Sequence, residues 1–370
     1  MTTPVDPIRY GVIGTGMMGI EHIENIAALP GAVVTAVSDP HEPSRTTGAA
    51  RAGLEPDAVF IDHRDLIASG RCDAVVVASP NHTHIDVVAD VLVTDLHALV
   101  EKPLCTTVAD AVRIRDLGLD RPAGAITWVA MEYRYMAAPA ELVRLVHDGA
   151  VGRPRMVAIR EHRYPFLEKV GDWNRFNENT GGTLVEKACH FFDLMNLILA
   201  ERPVRVMASG GQDVNHLDES YDGRTPDLLD NAFVIVDYPS GARALLDLCM
   251  FAEATQNQEE LAVTGDAGKV EALVPANTVR VGTRGTHWIG GVDEYVAADD
   301  RIGYEGFHHG SSYLEHLLFC DAIRAGGMPA VTLDDGMWAV AIGAAAHRSI
   351  ELGRPVDLAE VFAAAGAGAT

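Results

Sequence analysis

The chain is short of the features that commit a protein to disulfides, membranes, nucleic acid or a built-in metal. Its five cysteines (Cys72, Cys105, Cys189, Cys249 and Cys320) are odd in number, scattered and never spaced as CxxC. That pattern suits reduced thiols in a cytoplasm better than a disulfide framework. HExxH is missing as well. Glu186, Cys189, His190, His308 and His309 could each ligate a metal, but no pair among them has a dedicated spacing, so none is expected. Basic charge is scarce: 29 Lys and Arg stand against 52 Asp and Glu, for a formal net charge of -23. Such a field repels phosphate backbones and anionic lipid, which argues against nucleic acid and membrane surfaces as partners. No apolar run approaches the roughly 20 residues that cross a bilayer, and the polar stretch Met1–Arg9 has no signal-peptide character. Any anionic cofactor must then be held by local backbone donors.

With 370 residues, 48% hydrophobic and 22% charged, the chain is globular and long enough for two domains. Its first third alternates apolar strands (Ile8–Ile13, Val33–Ser38, Ala74–Ala78, Ala98–Val100) with helical stretches (Gly19–Leu29, Pro43–Ala52, His84–Val93, Val108–Leu117). Buried strands separated by helices predict a parallel, doubly wound sheet. A last unit, Ala125–Met131 and then a helix over Ala137–Asp148, leads out at Gly149.

From Arg155 longer strands follow: Met156–His162, Val204–Ser209, Asn231–Tyr238, Ala242–Cys249, Glu259–Thr264 and Lys269–Ala272. The turns Pro239-Ser240-Gly241 and Gly265-Asp266-Ala267-Gly268 join strands directly, as in antiparallel hairpins. Helices are expected over Gly182–Leu199, Ser312–Ala325 and Asp334–Leu352. The acidic segment Gln212–Asp230 reads as loop, and the Ala/Gly tail Ala363–Thr370 as frayed. The expected fold is α/β: an N-terminal Rossmann doubly wound parallel sheet in residues 1–130, and a C-terminal α+β domain, 131–370, with an open, mostly antiparallel sheet. The helix 334–352 could pack back on the first domain.

The run Gly14-Thr15-Gly16-Met17-Met18-Gly19 fits GxGxxG between an apolar strand and a helix, and Asp39 ends a second strand about 20 residues later. In that context Gly14 permits the tight turn, Gly16 lets backbone approach a pyrophosphate, and Gly19 lets helix and strand pack closely. The helix N-terminus offers free N–H groups and partial positive charge to the phosphates. Asp39 can accept hydrogen bonds from both ribose hydroxyls and repel a 2′-phosphate, so NAD is expected in preference to NADP, although Arg45 lies nearby in sequence.

Further motifs lie downstream. Val75–Ser79 runs into Pro80-Asn81-His82-Thr83-His84, Val100 into Glu101-Lys102-Pro103, and the second domain carries Gly181-Gly182-Thr183-Leu184-Val185-Glu186-Lys187-Ala188-Cys189-His190-Phe191-Phe192-Asp193. With GxGxxG, with Val151-Gly152-Arg153-Pro154 and with Gly353-Arg354-Pro355-Val356, these resemble the glucose-fructose oxidoreductase / inositol dehydrogenase / rhizopine catabolism (Gfo/Idh/MocA) family over nearly the whole chain. The resemblance implies NAD-dependent oxidation of a secondary hydroxyl of a sugar, glycoside or cyclitol. It also implies a homo-oligomer, dimer or tetramer, joined through the open sheet. Cofactor contacts are implied at Gly14, Thr15, Gly16, Met17, Met18, Gly19, Asp39, Ser79, Pro80, Asn81, His84, Glu101 and Lys102. The family's Glu-Lys-Pro lysine maps to Lys102 and its helix histidine to His190. Its carboxylate one turn earlier is usually Asp and here is Glu186, its intervening glycine is Ala188, and Lys187 is unusual.

Alcohol oxidation needs a base for the hydroxyl proton and a carbon set against the nicotinamide. Lys102 follows a buried strand at the sheet's carboxyl edge, where partial desolvation would lower its pKa. A cis Lys102-Pro103 bond would aim it inward. Glu186 and His190 stand at i and i+4, on one face of the expected helix. His190 could be the general base with Lys102 positioning the hydroxyl, or the reverse. The plainer alternatives are a surface lysine and a satisfied core histidine beside Phe191 and Phe192, while Asp193 and Cys189 read as structural. Tyr133, Arg134, Arg163, Tyr164, Trp173, Arg175, His190 and His309 supply the donors, acceptors and flat faces that polyol hydroxyls require. Two other readings stay open. One is a redox-neutral enzyme that oxidises a hydroxyl transiently on tightly bound NAD, as an epimerase or glycoside-cleaving enzyme. The other is a non-enzymatic dinucleotide-binding sensor.

Overall fold

The computed structural model describes residues 6–367. Six strands, β1 (Ile8–Ile13), β2 (Ala32–Ser38), β3 (Val59–Phe60), β4 (Ala74–Val77), β5 (His97–Glu101) and β6 (Thr127–Ala130), form one parallel sheet ordered β3-β2-β1-β4-β5-β6. Five helices alternate with them: α1 (Met17–Ala28), α2 (Glu42–Ala52), α3 (His63–Ala68), α4 (His84–Leu92) and α5 (Val108–Leu119). The strands are apolar because both faces are covered: Val75, Val76 and Val77 of β4 are fully buried, each contributing about 1.5–3 kcal/mol. Strand order reverses between β1 and β4, and at that switch point the carboxyl ends open a crevice.

Helix α6 (Ala137–His147) leads into the second layer. There β7 (Pro154–His162), β8 (Arg205–Gly211), β9 (Asn231–Asp237), β10 (Arg243–Cys249), β11 (Glu259–Gly265), β12 (Gly268–Val274), β13 (Thr278–Thr283), β14 (Asp293–Val296) and β15 (Val356–Asp357) form a nine-stranded sheet. Its order is β14-β13-β12-β11-β7-β10-β9-β8-β15. Every pairing is antiparallel except β7 with β10. Alternation sets its two faces. Ala232, Val234 and Val236 of β9 point into the core, while Phe233 and Ile235 point out with Met156, Met207 and Leu245.

The remaining helices are α7 (Asn177–Thr180), α8 (Thr183–Glu186), α9 (Cys189–Leu199), α10 (Ser311–Ala325), α11 (Leu333–Leu352) and α12 (Leu358–Ala364). Helix α11, opened by a Thr332/Asp335 capping box, packs against α5 and β6 on one side and β8 and α9 on the other. It ties the two sheets together.

Three local expectations change. The helix expected over Gly182–Leu199 is broken at Lys187-Ala188, so Glu186 ends α8 and His190 lies in the first turn of α9. The Glu186 carbonyl is turned to Lys102 Nζ (3.4 Å) and the Cys189 thiol (3.4 Å), and a helix breaks where a side chain inserts into its ladder. Next, Ala363 and Ala364, expected to fray, belong to α12, which is fixed by an Asp357/Glu360 capping box; the last three residues of that tail lie outside the described residues. Finally, β3, α3, β13, β14 and β15 were not expected. β3 and β15 are two residues long, and their pairing depends on distant partners, Val37 and Ser38 for β3 and Arg205 and Val206 for β15.

Candidate active site

A cavity of about 810 Å³ opens at the carboxyl ends of β1, β2, β4 and β5. Its wall runs from Gly14, Gly16, Met17 and Met18 past Asp39 to Ser79, Pro80 and Asn81, then to Glu101, Lys102, Trp173 and Glu186. The glycine turn is built by exclusion. Gly14 has φ +90°, and a Cβ there would lie 2.6 Å from the Ala78 carbonyl and the Ser79 nitrogen. A Cβ on Gly19 would collide with the Gly14 oxygen, whereas one on Gly16 would meet no protein atom within 4 Å. Helix α1 has no side-chain cap at Gly16, so its first-turn N–H groups remain available to an anion. Asn81 Nδ2 is buried in the same wall without a partner. A diphosphate on this turn would satisfy both.

Asp39 is shaped by its surroundings. Its Oδ2 accepts from the Thr15 N–H (2.8 Å) and hydroxyl (3.3 Å), and its Oδ1 from the His41 N–H (2.8 Å). Arg45 donates to the carbonyl oxygens of Asp39 (2.6 Å) and Pro40 (3.2 Å). Thr15 thus orients Asp39 from outside the cavity, and Gly19 serves packing. His84 is also outside: its ring nitrogens lie 2.9 Å from the Pro103 oxygen and 3.0 Å from the Ser79 oxygen, clamping the ends of β4 and β5. Loss of the Asp39 carboxylate is expected to weaken NAD+ about 10- to 100-fold and NADP+ far less. Calorimetry of Asp39→Ala with both cofactors checks it.

At the other end of the cavity the Lys102–Pro103 peptide is cis. Burial would lower the Lys102 pKa, but Cys189, Glu132, Glu101 and Glu186 around it outweigh that, and the net shift is upward. This corrects the sequence expectation of a lowered value: Lys102 stays an ammonium. His190 goes the other way. Only 2% exposed, it has its pKa driven well below the usual range by burial and then by the cations Lys102, Lys187, His308 and Arg163. Its partner is not Glu186 but Glu132, whose Oε1 lies 3.6 Å from His190 Nε2. Tyr133 stacks on the ring at 4.2 Å and 8°. Burial raises the Glu186 pKa, opposed by Lys102 and Lys169, and Glu186 Oε2 has no partner.

The remaining candidates divide. Trp173 lines the cavity, edge-on to His82 at 6.1 Å. Arg163 lies over the half-exposed Tyr164 ring (4.5 Å) and reaches Glu161 (3.4 Å). Arg134 is held by a two-point bond to Asp193 (2.5 Å each) and by the Ala330 carbonyl (2.9 Å). Arg175 is buried against Glu219 (3.1 Å). His309 is exposed at φ 54°, and that turn points its neighbour His308 inward instead. Of the expected substrate residues only Trp173 lines the cavity; Tyr133, Arg134, Arg163, Tyr164, Arg175, His190 and His309 lie behind or away from its wall. Lys169 and Glu132 were missed. Lys169 sits in a segment with no strand or helix signal, but Glu132 follows β6 as Lys102 follows β5, and the same carboxyl-end rule would have found it.

Lys187 turns away from the cavity, donating to the Tyr133 hydroxyl (2.6 Å) and pairing with Glu161 (2.9 Å). Glu259 is buried beside this pair, and its carboxyl is pushed up to about 7 by burial and then by Glu161, with Lys187 opposing. A carboxyl that holds its proton more tightly folded than unfolded contributes stability at acid pH and loses it as pH rises through about 7. Glu259→Gln is therefore expected to flatten the fall in Tm between about pH 5 and 8 and to raise Tm at the upper end. Thermal melts across that range check it.

Among the described residues no group of three His, Cys, Asp or Glu could hold a metal ion, and no helix is long and apolar enough to cross a membrane. The doubly wound sheet, its glycine turn and the charged groups at the strand ends define a dinucleotide-dependent oxidoreductase. The NAD-binding Rossmann fold of an oxidoreductase family matches residues 8–120, and that family's C-terminal alpha/beta domain matches residues 143–358. The chain belongs to the Gfo/Idh/MocA oxidoreductase family, and its cofactor is NAD. It is 30% identical over 359 residues to a myo-inositol 2-dehydrogenase of Thermotoga maritima, covering 96% of this chain and 100% of that protein. It is similar to the crystal structure of a probable dehydrogenase from the same organism (TM-score 0.76, 27% identity, 96% and 100% covered). Levoglucosan dehydrogenase in complex with NADH and levoglucosan shares the fold (TM-score 0.81, 20% identity, 95% and 100% covered).

Proposed function

We propose that this protein oxidises a secondary ring hydroxyl of a cyclitol or sugar, with NAD+ as hydride acceptor. The observation that carries this reading is the single cavity joining the Gly14–Gly16 turn and Asp39 to Lys102 and Glu186. Bound NAD+ supplies the carbon that accepts the hydride. The chain's own groups handle the proton. Lys102, kept charged, donates to the substrate oxygen and stabilises the negative charge that grows there. His190, kept neutral, takes the hydroxyl proton. Its Nδ1 is buried without a partner and carries the ring hydrogen, so Nε2, the nitrogen that faces Glu132, offers the lone pair. Glu186 and Lys169 sit on the cavity wall, and Trp173 offers a flat face to the ring carbons. The inositol and levoglucosan named for its relatives are the substrate classes that suit such a wall.

The apolar outer face of the large sheet, with Phe233, Ile235, Met156 and Met207, supports packing against a second copy of the chain. The function is tested by following reduced-nicotinamide absorbance with purified protein, NAD+ or NADP+, and a panel of myo-inositol, scyllo-inositol and levoglucosan. NAD+ reduction with at least one polyol is expected. Silence across the panel, from folded protein with both cofactors, would overturn it.

A further inference from the structure

Oxidation of an alcohol releases a proton, and His190, 2% exposed, is too buried to pass it straight to bulk solvent. The structure supplies a row of groups leading outward. His190 Nε2 lies 3.6 Å from Glu132 Oε1, and the same oxygen lies 3.7 Å from His308 Nε2. His308 Nδ1 then lies 3.3 Å from both Glu21 Oε1 and Ser312 Oγ. Burial falls along the row: the side chains of His190 and Glu132 are 2% and 3% exposed, that of His308 22%. Glu132 Oε2 is buried without a hydrogen-bond partner. The segment bearing His308 is tied to α1, with Tyr304 donating to Glu24 (2.6 Å) and the Phe307 N–H to Glu21 (2.9 Å).

We infer that Glu132 and His308 form a relay that carries the substrate's hydroxyl proton from His190 to the surface. The inference rests on the dehydrogenase reading above. The hydroxyl O–H bond breaks and its proton goes to His190 Nε2, while the hydride pair leaves the adjacent carbon for the cofactor. His190 passes that proton from Nε2 to Glu132 Oε1, Glu132 passes it to Nε2 of neutral His308, whose Nδ1–H stays on Glu21, and the same Nε2 releases it to water. Each ring gains and loses the proton at Nε2 and keeps its Nδ1 hydrogen, so neither changes tautomer over a turnover. Contacts of this kind tighten when substrate is held.

The groups facing His308 are Glu21 from α1, Glu132 and Tyr133 from the turn after β6, Ser312 from α10 and Lys187 from the α8–α9 break. Burial lowers the His308 pKa, Glu21 and Glu132 more than offset it, Lys187 opposes them, and the net shift is upward. Burial raises the Glu132 pKa.

Two measurements decide it. The first is an imidazole NMR titration of the cofactor-free protein, with the His308 signal assigned from His308→Gln. Glu132→Gln is expected to lower the His308 midpoint by about one pH unit, and Glu132→Asp to restore part of it. The second uses NAD+ and myo-inositol. His308→Gln is expected to lower kcat about 10-fold or more, with KM nearly constant. His308→Ala is expected to lose activity likewise and to regain it with free imidazole, which a purely structural role would not allow. An unmoved midpoint overturns the relay with or without turnover. So does a His308→Gln enzyme with wild-type kcat at every pH. A wild-type protein silent on every polyol refutes the dehydrogenase reading, while a lowered midpoint still upholds the coupling of Glu132 to His308.

Discussion

Replacement of His190 by asparagine is expected to lower kcat for polyol oxidation about 10²- to 10⁴-fold, with KM and NAD+ affinity little changed. The side chain is buried, neutral and stacked on Tyr133, and asparagine keeps a polar group of similar reach without a basic nitrogen. The pH dependence carries the sharper test. His190 must be deprotonated to act, and its pKa is held down by burial and, among the cations, chiefly by Lys102. Activity should therefore persist below the usual imidazole range and fall only in more acid solution. Lys102→Met removes that cation, so the acid limb should move to higher pH while kcat drops as well. If the limb stays where it is in Lys102→Met, or if His190→Asn turns over normally, His190 is not the base and the division of labour proposed here is wrong.

The second large effect is expected at the glycine turn, where two substitutions should separate. Gly14→Ala forces an L-residue into φ +90° and places a methyl 2.6 Å from the Ala78 and Ser79 backbone. Neither backbone can give way cheaply, because Ala78 is hydrogen-bonded to Ile13 (2.8 Å) at the end of the paired strands. A loss of several kcal/mol in stability is expected, with NAD+ affinity falling at least about 100-fold as the turn is displaced. Gly16→Ala meets nothing in the protein within 4 Å. It should melt like wild type and still bind NAD+ weakly, because the methyl stands where the diphosphate approaches. Calorimetry and thermal melts on the pair distinguish fold from binding. Equal, near-wild-type NAD+ affinity in both variants would mean that the diphosphate does not use this turn.

Much of the fold was legible because it follows from local periodicity. The continuous apolar runs of β4 and β5 fit strands buried on both faces, and the short turn Pro239-Ser240-Gly241 between β9 and β10 fits an antiparallel hairpin. The placement of Gly14, Gly16 and Asp39 on one cavity wall was legible for the same reason, because backbone geometry and strand-end position, which spacing encodes, set it. The catalytic end was only half legible. Spacing placed Glu186 and His190 on one helical face, but the break at Lys187-Ala188 separates them and leaves His190 to Glu132. Likewise His309 looked equivalent to His308, until the backbone at φ 54° turned one outward and one in.

The amino-acid order by itself determined the two-layer architecture, the glycine cradle and the presence of a lysine and a histidine suited to alcohol oxidation. Each depends on residues close together in the chain. Only the tertiary structure decided which charges surround them. Lys102 is raised by Glu101, Glu132 and Glu186, which come from three separate elements, and His190 is depressed by burial and by cations equally dispersed. Electrostatic energy depends on distance and desolvation in space, and sequence separation carries neither.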